Sequence, residues 1–436
     1  MRQASTLPTS FSLDALLFLL LTLPYFLQFQ DSTLILIVPL LAAYLLLSCE
    51  PGLSSRRHLW KFALILLMVA LTTLIPLLAN IAFRLETEGT TNAFVTGGTM
   101  HDGALQTEEA VRLFLEGKNP YTEGYSNTLV AQYPMDLVAV NPALNHYVYL
   151  PFTFLLSAPF YWGFHNFLGW YDQRLVYGLG YLAVLLLVPF QAWARENRLL
   201  LWIVLGLNPL LTGHVDVGIT TGVNDYLVLS LVMLTVALLH RGNRLLSAVP
   251  LALASAIKPS AWFFLPFYFV LQSDLKSGAE FPRSVRKPVL IYAVVLAIII
   301  LPFLLWDPGA FLEDNLFYTA GGSATPYPLR GLGLSTILLE SGLISSRAAT
   351  FPFWILELSF GGVVLVVLLR QQLKHNTIRQ AWLGYSLFLG TTAFFSRFLN
   401  PNYLGYILAV LALGLWSDSS SLSTESPLAE QRRDGT

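Results

Sequence analysis

Residues 60–81 read WKFALILLMVALTTLIPLLANI. Past Lys61 the run holds no charged side chain. At 1.5 Å per residue it would make roughly 33 Å of helix, enough for a hydrocarbon core of about 30 Å. Such a run reads as a membrane span. Arg56, Arg57 and Lys61 crowd its start, and cations in short loops collect on the cytoplasmic side. The span is therefore expected to leave the cytoplasm and deliver the chain to the external face near Arg84.

Outward from this run the pattern repeats. Of 436 residues, 55% are hydrophobic and 12% charged, about half the charge of a typical soluble chain. Further apolar runs lie at 13–29, 34–47, 147–168, 176–190, 199–211, 226–239, 245–271, 288–306, 351–369, 382–395 and 403–416. The expected fold is all-α: a polytopic integral membrane protein with about 11–13 transmembrane helices. Its expected home is a cell membrane, that of a bacterium by the resemblance described below. Only Arg2 is charged ahead of the first run, and no small-residue cleavage site follows it. That run is expected to be a retained span rather than a signal peptide. A net charge of −1 gives no ground for a nucleic-acid partner. With Cys49 as the single cysteine, an internal disulfide or cysteine-built metal cage is excluded.

The chain divides into N-terminal spans (1–83), an external loop (84–146), a transmembrane core (147–306), a second external loop (307–350), C-terminal spans (351–416) and a polar tail (417–436). The tail is expected to be disordered and cytoplasmic. Arg241 with Arg244, the group Lys276, Arg283, Arg286 and Lys287, Lys374 with Arg379, and Arg432 with Arg433 mark further cytoplasmic loops. Two runs strain this threading. Residues 245–271 have cytoplasmic charges at both ends and are broken by Lys258-Pro259. Each half makes about 18 Å of helix, so a hairpin of two half-helices fits, with its corner buried in protein. Residues 147–168, interrupted by Pro159, form either a second hairpin or a sign that Arg195 and Arg198 depart from the charge rule. Both readings stand.

The stretch richest in chemistry is HDGALQTEEAVRLFLEGKNPY, residues 101–121. On a helical wheel Glu108, Glu109, Arg112 and Glu116 share one arc, opposite Ala110, Val111, Leu113, Phe114 and Leu115. Gly117 and Asn119-Pro120 stop the helix. An amphipathic helix in the external interface is expected after the third span, its apolar face toward lipid or protein. Asp102 at its start reads as an N-cap, as a cavity-facing carboxylate, or as both.

Lys258 sits inside an apolar run, where a lysine is expensive and marks function by default. Equally, it pairs with Asp225 or Asp216 to hold the corner together. His146, Arg330 (within PYPLRGLGL) and Arg397 read as phosphate grips or as interfacial anchors. Tyr161, Trp162, Trp170 and Tyr171 read as an aromatic belt. The sequence carries no glycine-rich phosphate loop, DxD motif or HExxH, so no metal and no cofactor are expected.

Four stretches, in order, carry a resemblance. Asp102 precedes a helix ending in Gly117-x-Asn119-Pro120-Tyr121. Asn208-Pro209 is followed by Gly222-Val223-Asn224-Asp225. The broken run ALASAIKPSAWFFLPFYFV surrounds Lys258-Pro259, and SRFLNPNYLGYILAVLAL enters the last span. From residue 101 to 416 the chain resembles GT-C membrane glycosyltransferases, above all glycosyltransferase family 87 and its bacterial polyprenyl-phosphate-mannose-dependent relatives.

The resemblance implies an inverting hexosyltransferase. It would move a sugar, mannose by family analogy, from a polyprenyl-phosphate donor to a lipid-linked or cell-envelope acceptor on the external face. Asp102 maps onto the family's general base, which would take a proton from the attacking hydroxyl. His101, His146, Asn224, Asp225, Lys258 and Arg330 are the expected donor contacts. Gly213-His214 stands where the family has Gly-Gln, a departure in the donor-binding stretch. The partners implied are the donor, the acceptor and membrane lipids. The rival reading is a secondary transporter or flippase of lipid-linked sugars, since broken helices and buried lysines serve transporters too. No inverted repeat favours it. A family member that binds lipid-linked sugar without catalysis is a third.

Overall fold

The run 60–81 lies inside one 33-residue helix, Ser55–Thr87. Pro76 has no N–H to donate to the Thr72 carbonyl, and a π-helical turn at Ala70–Leu74 absorbs the mismatch. The helix continues a turn past the expected boundary at 83, which places Arg84 on ordered helix. The structure, a computed structural model, describes residues 12–28, 33–49, 54–135, 141–273 and 281–418. Among them four helices are long and apolar enough to cross a membrane: Ser55–Thr87, Gln173–Phe190, Val285–Trp306 and Phe353–Lys374. Four shorter apolar helices accompany them, Leu13–Gln28, Leu34–Ser48, Asp225–His240 and Pro401–Trp416. The expectation of about 11–13 spans meets these eight, together with half-helices.

The helix ends gather at two poles. At one, Arg195 donates to the Ser55 hydroxyl at 2.6 Å and the Asp418 amide to the Gln191 carbonyl at 3.0 Å. Asn376 donates there to the Val270 carbonyl at 2.8 Å. At the other pole the His101 amide donates to the Thr221 carbonyl at 2.7 Å, and Arg84 clasps Glu108. Residues 84–135 and 308–350 both belong to this second pole.

The hairpin expected around Lys258-Pro259 is present. Helix Ala248–Ser255 gives way to an extended Lys258, a 3₁₀ segment Pro259–Phe264 and helix Leu265–Gln272. Its two feet meet, because Gln272 Nε2 donates to the Arg244 carbonyl at 2.9 Å and Ser247 Oγ lies 2.9 Å from the Tyr268 hydroxyl. At the corner the carbonyls of Ala256 and Ile257 accept from the amides of Phe152 and Leu150, so buried irregular backbone is satisfied.

The open question at 147–168 is also answered. Helix Phe152–Leu168 runs unbroken through Pro159, so there is no second hairpin. It starts at the Lys258 corner and ends at a link whose Asp172 and Gln173 bond Arg84 and Glu108. Both of its ends lie at the second pole, so the helix does not cross the bundle. Gln173–Phe190 crosses instead, and Arg195 and Arg198 come to lie with Arg56 and Arg57 at the first pole.

Helix Asp102–Leu115 buries Gly103 to Thr107 along with Ala110, Val111 and Leu113. Its apolar face meets protein, with Phe114 against Phe154 at 5.5 Å between ring centroids, whereas Leu115 is exposed. Glu108 leaves the solvated arc for an ion pair with Arg84. The departure from all-α is small: the strands Arg330–Gly331 and Phe398–Leu399 pair in parallel. Gly331, at φ +95°, permits it, since a Cβ there would meet the Leu399 carbonyl oxygen. The tail beyond Asp418, with Arg432 and Arg433, lies outside the described residues, as do Arg2, Asp136 and Lys276.

Candidate functional site

Between the hairpin corner, the start of helix Asp102–Leu115 and the strand pair lies a cavity of about 730 Å³. Five of the seven residues expected there line it: His101, Asp102, Asp225, Lys258 and Arg330, together with Asp216.

Asp102 is the first helical residue and not the cap. His101, extended at φ −70° and ψ 143°, caps the helix by accepting the Gly103 amide on Nδ1 at 3.1 Å. An imidazole nitrogen fills the role expected of the carboxylate because Asp102 already has helical backbone. The Asp102 Oδ1 accepts from the same amide at 2.7 Å. Its Oδ2 has no hydrogen-bond partner among the described residues, and the side chain is 14% exposed. The helix N-terminus favours its negative charge. Gly103 allows the crowding beside it, since a Cβ there would lie 2.2 Å from the Tyr149 hydroxyl.

Lys258 is paired. Its ammonium stands 2.6 Å from Asp225 Oδ1 and 4.4 Å from the centre of the Tyr403 ring. Asn402 Nδ2 donates to the other Asp225 oxygen at 2.6 Å. Three segments distant in sequence therefore close on one carboxylate, which begins helix Asp225–His240. Asn224 is fully buried behind it and does not line the cavity; neither heavy atom of its side-chain amide finds a partner among the described residues.

Arg330 differs. Held by its strand at the cavity wall, its guanidinium makes no hydrogen bond or ion pair with the described residues. The phenols around it are Tyr133, Tyr327 and Tyr403, each of which feels its charge. Burial pushes the Tyr327 hydroxyl up to about 12, so it stays a neutral donor. Tyr133 escaped sequence reasoning: it is edge-on to the His101 ring at 5.9 Å and within the fields of Asp102 and Arg330. Nothing in its local sequence marks it, because a loop places it there.

His146 is not a cavity group. Its Nδ1 lies 2.8 Å from Asp314 Oδ1 and its Nε2 3.0 Å from the Thr325 hydroxyl. The ring stacks on Tyr318 at 4.2 Å. It latches the stretch 84–146 to the stretch 308–350. Both ring nitrogens are thereby engaged, which corrects its expected role as a donor contact. Arg397 reaches the cavity wall but spends its guanidinium on the backbone carbonyls of Tyr327, Arg347 and Ala349. Burial lowers it to about 10. It pins the segment that carries Arg330.

A buried network holds the Asp102 helix in place. Arg84 grips Glu108 through both carboxylate oxygens at 2.7 and 2.8 Å and reaches Asp172 at 3.3 Å. Arg174 donates to Asp172 at 2.7 Å and to the Thr99 carbonyl at 2.9 Å. Burial pushes the Glu108 carboxyl up against the pull of Arg84. Among the described residues no group of three or more histidine, cysteine or acidic side chains gathers as metal ligands.

No family model matches this chain, and no curated protein matches its sequence.

Proposed function

We propose that the protein is a polytopic membrane glycosyltransferase of the GT-C type, acting at the pole that carries the two long external stretches. One observation carries the reading. A single cavity holds a carboxylate with a free oxygen, Asp102, and a guanidinium without a carboxylate partner, Arg330. Transfer of a sugar from a lipid phosphate needs these two kinds of group. A base takes the proton from the attacking hydroxyl, and a cation stabilises the charge that develops on the departing phosphate.

In this reading Asp102 Oδ2 accepts the acceptor's hydroxyl proton as its oxygen attacks the anomeric carbon from the side opposite the phosphate. The bond to the phosphate oxygen breaks, the configuration inverts, and the phosphate departs toward Arg330 with Tyr133 and Tyr327 as neutral donors nearby. Lys258, already neutralised by Asp225, shapes the floor instead of supplying free charge. The order of motifs from 101 to 416 supports a polyprenyl-phosphate donor with mannose as its sugar, and an acceptor that is a lipid or an envelope glycan. The four long apolar helices support a location in a cell membrane.

The test is direct. Purified protein in lipid nanodiscs, given polyprenyl-phosphate mannose and a membrane lipid extract, should transfer labelled mannose to lipid with inverted configuration. Arg330→Ala should lower that transfer at least tenfold. Transport of intact lipid-linked sugar across vesicles without any transfer would overturn the reading in favour of a flippase.

A further inference from the structure

The cavity wall also carries a carboxyl that the mechanism above does not use. Glu357 lies in the first turns of helix Phe353–Lys374, in the apolar context WILELSFGGVVLVV. It is half-buried and lines the cavity. Two other carboxyls in the apolar helices, Asp14 and Asp225, have partners: Lys61 at 2.7 Å and Lys258 at 2.6 Å. Glu357 makes no hydrogen bond or ion pair with the described residues. A carboxyl in apolar surroundings without a partner is costly, and its place on the cavity wall points to a ligand.

The backbone turns this carboxyl inward. Glu357–Gly361 is a π-helical turn, and Gly361 allows it to pack, since a Cβ there would meet the Thr392 hydroxyl at 2.9 Å. Such turns concentrate at functional sites. A second π-helical turn, Glu313–Phe317, contributes Asn315 and Leu316 to the same cavity. One turn before Glu357 the indole of Trp354 also lines the cavity and is 59% exposed. A tryptophan at a helix end is what a membrane boundary supplies by itself; the carboxyl one turn below is not.

We propose that Trp354 and Glu357 form the subsite for the sugar headgroup of a lipid-anchored acceptor, a proposal that rests on the glycosyltransferase reading. The indole offers a flat apolar face to the C–H side of a pyranose ring. The carboxylate accepts hydrogen bonds from two neighbouring hydroxyls, and charge-assisted bonds of this kind are about twice as strong as neutral ones. Exposed Leu316 lines the same cavity, apolar surface suited to the ligand's alkyl part.

The experiment separates this claim from the activity itself. Radiolabelled octyl mannoside is bound to the full protein in nanodiscs, with octanol and free mannose as competitors. The parent should bind it, and neither competitor alone should displace it at equal concentration. Glu357→Leu and Trp354→Ala should each weaken binding at least tenfold, Glu357→Gln by less, and Glu340→Gln not at all. In the transfer assay the first two should raise the acceptor KM and leave the donor KM unchanged. A parent that transfers mannose but whose octyl mannoside binding is the same in Glu357→Leu overturns this inference and leaves the glycosyltransferase reading standing. A parent that binds the probe through Trp354 and Glu357 but transfers nothing supports the subsite and overturns the enzyme.

Discussion

The Lys258 ammonium lies 2.6 Å from the Asp225 carboxylate, and Asn402 donates to the other oxygen of that same carboxylate. The lysine at the hairpin corner is thereby spent on the fold, whereas Arg330, from a different segment, makes no hydrogen bond or ion pair with the described residues. Buried pairs of this sort depend on both members, since removing one strands a charge in an apolar place.

Lys258→Met should therefore destabilise the protein by about 3–5 kcal/mol by leaving Asp225 uncompensated. Lys258→Met combined with Asp225→Asn removes both charges and should recover most of that loss. Thermal midpoints in detergent for the two variants decide the matter. A double variant no more stable than the single one would show that the corner does not depend on this pair.

Asp102→Asn should leave folding nearly intact, because His101 and not Asp102 caps the helix. The loss of one charge at a helix N-terminus costs about 0.3–1 kcal/mol. Asparagine cannot take the acceptor's proton, so transfer should fall by roughly 10²–10⁴. A stable Asn variant with the parent's rate would remove Asp102 from the chemistry. Glu108, on the same helix, could not replace it, being locked to Arg84 and absent from the cavity lining.

The latch between His146 and Asp314 should respond to pH. Burial holds the Asp314 carboxyl above its usual range, although His146 and the Tyr147 amide pull it down. The folded state then binds the proton more tightly than the unfolded chain. Its contribution to stability is full below the ordinary carboxylate range and is lost as pH rises through the elevated value. Asp314→Asn keeps an acceptor for the Tyr147 amide and does not titrate. As pH rises above the ordinary carboxylate range the thermal midpoint of the parent should fall relative to that of Asp314→Asn. Parallel profiles would rule out the linkage.

Orientation is open to chemical labelling. Thr96 is exposed at the second pole and Arg56 at the first. With exposed Cys49 replaced by serine, a cysteine at Thr96 should react in intact cells with an impermeant thiol reagent. One at Arg56 should react only after permeabilisation. The reverse pattern would invert the membrane topology and put the cavity on the cytoplasmic side.

Several features were legible in the sequence because they are local. Pro259 cannot continue a helix, and each half of 245–271 is too short to span, so the hairpin follows from chain chemistry. Gly117 and Asn119-Pro120 end the amphipathic helix for the same kind of reason. Charge-free runs such as 62–81 mark apolar helices through composition alone. What only the tertiary structure decided is which charges meet. Lys258 pairs with a residue 33 positions away and His146 with one 168 positions away. Pairing depends on through-space distance, and sequence spacing carries no record of that. The same limit hid that Arg84 takes Glu108 out of the solvated arc, that Phe152–Leu168 returns to the pole it left, and that Arg330 makes no hydrogen bond or ion pair with the described residues.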